Sequence, residues 1–397
     1  MPSTEKRGDG PRPWRVRFIN NDGERDSASG FETEDEAYDY GLDQETDIRR
    51  GVYHNPRRGE IPFRDYAKEW IDAHDVASTS EVSYRSRLNA VILPRWGGVA
   101  IGTITTLEVR SWVKSLRRKG YSTNYIANVV MQLRMMLDDA VVDKYITYNP
   151  VEKKSRRGKV KPKEKAKTIF ATPNQVAELA QRGQVLRGEM GEMIILTLAY
   201  TGMRLGELYG LLRTDCNLLG KEYERSLTVA RQFQYQGGER ALPIPKYDSG
   251  RRIVLPPFLA DRLSALLATH KSRFVFTAPE GGQLLTGGSF YDSFWHPATR
   301  GRPARPASRG HRALPALPGV TGLEGMVPHG LRHGHAVWLD EAGHPDVAIE
   351  ERLGHETRTV KGTYRHATPS MERAIAEALQ GWYEGATSAR EASRSVG

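Results

Sequence analysis

The stretch VPHGLRHGHAVWLDEAGHPDVAIEERLGHETRTVKGTYRH, residues 327–366, decides how the chain is read. It holds a His-x-x-Arg at His329 and Arg332, a Leu-Gly-His at 353–355, and a tyrosine, Tyr364, nine residues after His355. His329 and Arg332 lie three apart just after Pro328, the spacing of one face at a helix start. A guanidinium offers a planar fork of donors that matches two oxygens of one phosphate. His355 follows Gly354, a residue suited to a turn that carries an imidazole into a pocket. Tyr364 lies among short and polar residues. A phenol with a pKa of about 10 attacks poorly at neutral pH unless cations stabilise its oxyanion. Singly, each of these residues has a blander reading: a surface or core His, a solvated Arg, a packed Tyr. In this order and spacing they point together to chemistry on a phosphate.

Two upstream segments add cations. In TGMRLGEL, residues 201–208, Gly202 breaks a greasy helix and Arg204 opens the next one, with Glu207 a turn later. A cation placed after a buried helix is costly unless a phosphate or carboxylate meets it. In PKYDSGRRIVL, residues 245–255, a turn bearing Lys246 leads into a strand, with Ser249 and Arg252 flanking it. Taken in order, Arg204, Lys246, His329, Arg332, His355 and Tyr364 resemble the signature of the tyrosine recombinases, the phage-integrase family of site-specific DNA recombinases. Tyr247 stands where that family commonly has Thr. The resemblance covers roughly residues 60–383 and is most specific at 200–208 and 328–366.

The resemblance implies a site-specific recombinase that cleaves and rejoins DNA through a 3′-phosphotyrosine intermediate, to integrate or excise a phage or other mobile element. Tyr364 would be the nucleophile, and Arg204 and Arg332 would hold the non-bridging oxygens. Lys246 would give the leaving 5′-oxygen its proton. His329 would assist Tyr364 or bond the phosphate, His355 would bond the phosphate, and Glu207 would support Arg204 or His329. The covalent link conserves bond energy, so no cofactor is expected, neither ATP nor metal. Implied partners are double-stranded DNA attachment sites and a homotetramer on DNA. An excision factor or host DNA-bending protein is compatible with this. The expected location is the cytoplasm of a bacterial host, on its DNA, with no membrane association.

Composition agrees with a polyanion partner: the formal net charge is +10, and Lys and Arg drive binding to phosphates. Cys216 is the only cysteine, which excludes an internal disulfide and a Cys-based zinc site. The first residues, MPSTEKRGDGPRPW, lack the apolar region of a signal peptide. The longest greasy run, 193–200, is too short for a membrane span.

The expected fold is multidomain. Residues 1–58 read as a small α+β module like an arm-DNA-binding domain. Its strand Trp14-Arg15-Val16-Arg17-Phe18 alternates apolar and basic residues, and an acidic helix opens near Thr33. Residues 60–150 read as an all-α core-binding (SAM-like) domain, with Pro94-Arg95-Trp96-Gly97-Gly98 as a break and Thr105 or Thr106 capping a helix. DNA-contact candidates are Arg15, Arg17, Arg85, Arg87, Arg117, Arg118, Lys119 and Arg252, with Arg110 and Lys114 beside them, although any one helix-face base is more often simply solvated. Residues 151–167 form a linker whose segment 153–167 carries nine bases and one acid. Residues 168–384 read as a mainly α catalytic domain with a small β-sheet, the tyrosine recombinase fold. Residues 299–326 are expected to be a long mobile loop, and 385–397 a disordered tail. The helix after Pro369 is the candidate for docking onto a neighbouring copy. A type IB topoisomerase-like enzyme would share the chemistry, but the helical domain and arm-like N-terminus favour a recombinase. A DNA-binding protein without catalysis would not need the full residue set.

Overall fold

The computed structural model describes residues 1–20, 23–51, 53, 55–75, 78–152, 168–236, 239–244, 249–278, 288–308, 313–355 and 366–395. The basic segment 153–167, Lys246 and Tyr364 lie outside the described residues. The chain divides into two compact units, Met1–Lys161 and Pro162–Gly397.

The first unit opens with an antiparallel sheet, β1 (Ser3–Lys6), β2 (Trp14–Ile19) and β3 (Arg25–Phe31), with β2 central. The period-two pattern of β2 works as expected: Val16 and Phe18 are buried and Arg17 faces out. Helix α1 (Glu34–Arg49) packs on this sheet, capped by Thr33, whose hydroxyl accepts from the Glu36 amide. Five helices follow: α2 (Phe63–Ala73), α3 (Ser78–Arg87), α4 (Leu93–Trp96), α5 (Thr106–Arg118) and α6 (Thr123–Val142). A π-turn over Leu88–Ile92 joins α3 to α4. Thr105 and Glu108 close a full capping box at the start of α5. These helices enclose a second core that includes Phe63, Trp70, Ile92, Trp96, Leu133 and Met136.

The second unit opens with α7 (Pro173–Thr201), whose capping box joins Thr172 and Gln175. The helix is kinked at Arg187 and Gly188. After α8 (Leu205–Gly210) come β4 (Cys216–Asn217), β5 (Ser226–Val229), β6 (Gln234–Gln236), β7 (Glu239–Ala241) and β8 (Arg251–Val254). Strands β4, β5 and β8 form a three-stranded antiparallel sheet, and β6 pairs only with β7. Beside this sheet, Phe274 makes a bridge to Leu212. Helix α9 (Pro257–Ala268), α10 (Gly288–Phe290) and α11 (His296–Arg300) lead to β9 (Gly301–Arg302) and β10 (Leu317–Pro318). Next are α12 (His329–Glu341), α13 (Asp346–Leu353) and α14 (Pro369–Ser395). One core runs through this unit around the buried run Met193–Tyr200 of α7.

Two expectations are corrected here. The segment 299–326 is not a plain loop. It pairs β9 with β10, bridges Arg305 to Leu314, and buries Leu317, Val320, Leu323 and Met326. The expected tail from 385 continues α14 as helix to Ser395. The apolar face of α14 is also already occupied within its own unit: Ile375 and Leu379 join the core, and Tyr383 stacks on Phe258 with centroids 3.6 Å apart. Cys216 donates toward the Leu212 carbonyl at 3.6 Å, and burial pushes its thiol up to about 12. No helix of the described residues is long and apolar enough to cross a membrane.

Candidate active site

The end of α7 fixes the first arginine. Gly202 caps the helix with φ 67°, a left-handed turn that suits glycine. Arg204 then starts α8, and Glu207 folds back to receive it twice: the Arg204 amide donates at 2.8 Å and its Nη1 at 2.7 Å. Glu207 also takes a second guanidinium, from Arg251 at the start of β8, at 2.8 and 3.2 Å. Arg251 Nε donates to the Arg352 carbonyl at 2.7 Å. Burial raises the Glu207 pKa, but the hydrogen bonds and charge of Arg251 and Arg204 outweigh it and hold the carboxyl below its usual range. Glu207 is therefore a buried anion shared between two arginines, and Arg204 keeps the more open position.

The second arginine of the signature comes from the first turn of α12. Arg332 is 3% exposed and donates from Nη1 to the Gly202 carbonyl at 2.7 Å. Its Nη2 is buried with no hydrogen-bond partner among the described residues. Burial, then the charges of Arg204 and Arg251, lower its pKa to about 9, which still leaves a cation at neutral pH. A buried guanidinium among other cations with one donor unused is a site that favours an anion. His329 stands at the exposed rim beside a cavity of about 290 Å³, lined also by Met203, Arg204, Leu205 and Tyr291. His355 follows Gly354, the left-handed cap of α13 with φ 67°. Both imidazoles have lowered pKa values, through burial first and then the charges of Arg332 and Arg204. The shift favours the neutral ring, which can donate from one nitrogen and accept at the other.

The structure therefore brings together Arg204, Glu207, His329, Arg332 and His355. Lys246 and Tyr364 lie outside the described residues. Arg252 points away from this group: it bonds the Ser226 hydroxyl at 3.0 Å and the Glu224 carbonyl at 2.9 Å, and pairs with Glu372 at 3.6 Å. Its neighbour Arg251 fills the inner position, and the sequence reading missed it. Strand alternation could have found it, because Arg251 shares a face with the fully buried Ile253. Arg352 and His335, buried beneath the site, were missed as well.

In the first unit several DNA-contact candidates hold intramolecular partners. Arg15 bonds the Ser27 hydroxyl, and Arg17 pairs with Glu5 at 2.8 Å. Arg85 pairs with Glu81 at 2.8 Å and Asp72 at 2.9 Å, Arg87 bonds Gln132 at 2.9 Å, and Arg110 pairs with Glu152. Arg117, Arg118 and Lys119, at the end of α5, are exposed, as is Lys114.

A mainly helical unit with a small antiparallel sheet, carrying paired arginines, flanking histidines and a downstream tyrosine, defines a site-specific tyrosine recombinase, an enzyme that breaks and rejoins DNA. The profile of the phage integrase family matches residues 163–371, more than half of the chain. The chain belongs to the phage integrase family. It is 25% identical over 389 residues to a putative prophage phiRv2 integrase of Mycobacterium tuberculosis, covering 92% of each. It is also 25% identical to the integrase of Mycobacterium phage L5, over 80% of this chain and 79% of that one. The fold matches the Tn1549 transposon integrase in complex with a circular intermediate DNA, with TM-score 0.59 and 21% identity, over 79% of this chain and 97% of that one. It also matches a lambda integrase tetramer bound to a Holliday junction, with TM-score 0.51 and 13% identity, over 87% and 94% of the two chains.

Proposed function

We propose that the chain integrates or excises a phage or other mobile element by attack of Tyr364 on a DNA phosphodiester. The observation that carries this reading is the buried Nη2 of Arg332 beside Arg204, a donor with no hydrogen-bond partner among the described residues. The Tyr364 oxygen gives its proton to His329 and forms a bond to phosphorus, while the 5′-oxygen leaves, taking its proton from Lys246. Charge that grows on the non-bridging oxygens is held by Arg204 and Arg332, donors already fixed before the reaction starts. His329 and His355 complete the ring of donors around the phosphate. The reverse attack by a 5′-hydroxyl of a partner strand rejoins the DNA. Four copies acting on two duplexes follow from that exchange, and the solved lambda integrase tetramer on a Holliday junction supports this arrangement. The exposed end of α5 with Arg117, Arg118 and Lys119 supplies a phosphate-facing surface, and the N-terminal sheet would serve accessory DNA sites. An excision factor or host DNA-bending protein would be a further partner.

The test uses nicked suicide duplexes drawn from the ends of the DNA element that carries the gene. Wild type is expected to give a covalent protein–DNA band on a denaturing gel. Tyr364→Phe is expected to bind the same duplex and give no band. Cleavage by the Tyr364→Phe protein equal to that of wild type would remove Tyr364 from the mechanism.

A further inference from the structure

Arg352 carries a buried charge with no carboxylate bonded to it among the described residues. Among the described residues its three side-chain hydrogen bonds go to neutral acceptors. Nε donates to His335 Nε2 at 3.0 Å, Nη1 to the Val254 carbonyl at 3.0 Å, and Nη2 to the Tyr200 carbonyl at 3.0 Å. His335 is fully buried, and its Nδ1 lies 2.8 Å from the Ala199 carbonyl. The network assigns one tautomer: Nδ1–H donates to Ala199 and Nε2 accepts from Arg352. Burial, then the charge of Arg352, keeps this ring well below its ordinary pKa and so neutral. Desolvating a guanidinium costs several kcal/mol, and well-packed apolar residues of similar volume often serve stability as well or better. Glu372 attracts this charge without bonding it, which leaves stability alone a weak reason for a cation here.

Position gives a reason. The Arg352 carbonyl accepts from Arg251, which holds Glu207, which holds Arg204. The Arg352 side chain grips His335, which lies on α12 three residues beyond Arg332. It also grips Tyr200, two residues before Gly202, whose carbonyl holds Arg332. The fit is close: a Cβ on Gly202 would lie 2.8 Å from His335 Cδ2 and 2.7 Å from Leu353 Cδ2. We propose that Arg352 and His335 form a buried positioning clasp that sets the spacing between the two phosphate-binding arginines, Arg204 and Arg332. A planar guanidinium with donors in fixed directions joins α7, α12, α13 and β8 at one point, which an apolar side chain cannot do.

This inference rests on the strand-cleaving reading above, and its test separates the two. The full-length double variant Arg352→Leu/His335→Phe orphans no buried charge and is expected to fold and to bind the suicide duplex as wild type does. Covalent complex formation in a single turnover is expected to slow roughly 10²-fold, the loss that a misplacement of about 1 Å produces. A duplex with an uncharged methylphosphonate at the cleavage position asks less of the arginines. On it the deficit is expected to shrink by roughly tenfold, because less charge develops for them to hold. His335→Gln, which can donate to Ala199 and accept from Arg352, is expected to restore most of the rate that His335→Phe loses. Should the double variant not fold, Arg352→Lys, which keeps the charge and loses the fork, is compared on the same two duplexes. The clasp is overturned by a wild-type cleavage rate in the variant, by equal deficits on both duplexes, or by Gln performing no better than Phe. A wild-type protein that cleaves no candidate duplex would count against the strand-cleaving reading itself.

Discussion

Gly354 shows how a residue with no side chain governs the chemistry beside it. Its φ of 67° lies in the left-handed region, and a Cβ there would come within 2.8 Å of Arg251 Nη1. Gly354→Ala is therefore expected to cost about 1–2 kcal/mol for the backbone alone and to push Arg251 off Glu207. Thermal unfolding should register the first effect and covalent complex formation on the suicide duplex the second. An unaltered cleavage rate would mean that the Arg251–Glu207–Arg204 relay does not tune the site. This relay also marks the limit of what residue types alone reveal. The signature arginines, His329 and His355 were readable from spacing because their chemistry demands those side chains. Arg251 was hidden behind Arg252, since the choice between adjacent arginines depends on which strand face is buried. His335 and Arg352 were hidden because a polar residue at a core position gains meaning only from its partner, and theirs lies 17 positions away.

At the scale of elements, caps and periodicity were dependable guides: Thr33, Thr105 and Thr172 each start a helix as their side-chain oxygens suggest. Elements made by long-range pairing were not. The Pro- and Gly-rich segment 299–326 reads as a loop, yet its outgoing and returning arms pair with each other and its return is pinned by buried Leu323 and Met326. Helix α14 reads as an exportable amphipathic helix, yet it packs on α7, α9 and β8 of its own unit. Leu379 is fully buried there, so Leu379→Ala is expected to destabilise the chain by about 2–5 kcal/mol. Urea unfolding at two protein concentrations tests this placement. The loss should be the same at both, whereas a helix docked between copies would give a loss that shrinks on dilution, where association contributes less.

At the scale of the whole molecule, the second unit holds a group of imidazoles whose environment favours the neutral ring. His329, His335 and His355 all have lowered pKa values, with burial the leading cause. An unfolded histidine titrates near about 6.5, so between that pH and the lower folded values the unfolded chain binds more protons. The stability these groups allow is complete above that range and declines as pH falls through it. Thermal unfolding from pH 7.5 to 5.5 should show a falling midpoint, with a shallower fall for His335→Gln; a flat profile in wild type would contradict the burial of neutral rings. Cys216 has a different practical consequence. With its thiol pushed up to about 12, almost none of it is thiolate at neutral pH, and thiolate is the form that maleimides attack. The chain thus comes with its sole sulfhydryl silenced. A cysteine introduced on the exposed end of α5 would be the preferred target for a dye, which would allow the assembly to be followed by fluorescence without first deleting Cys216.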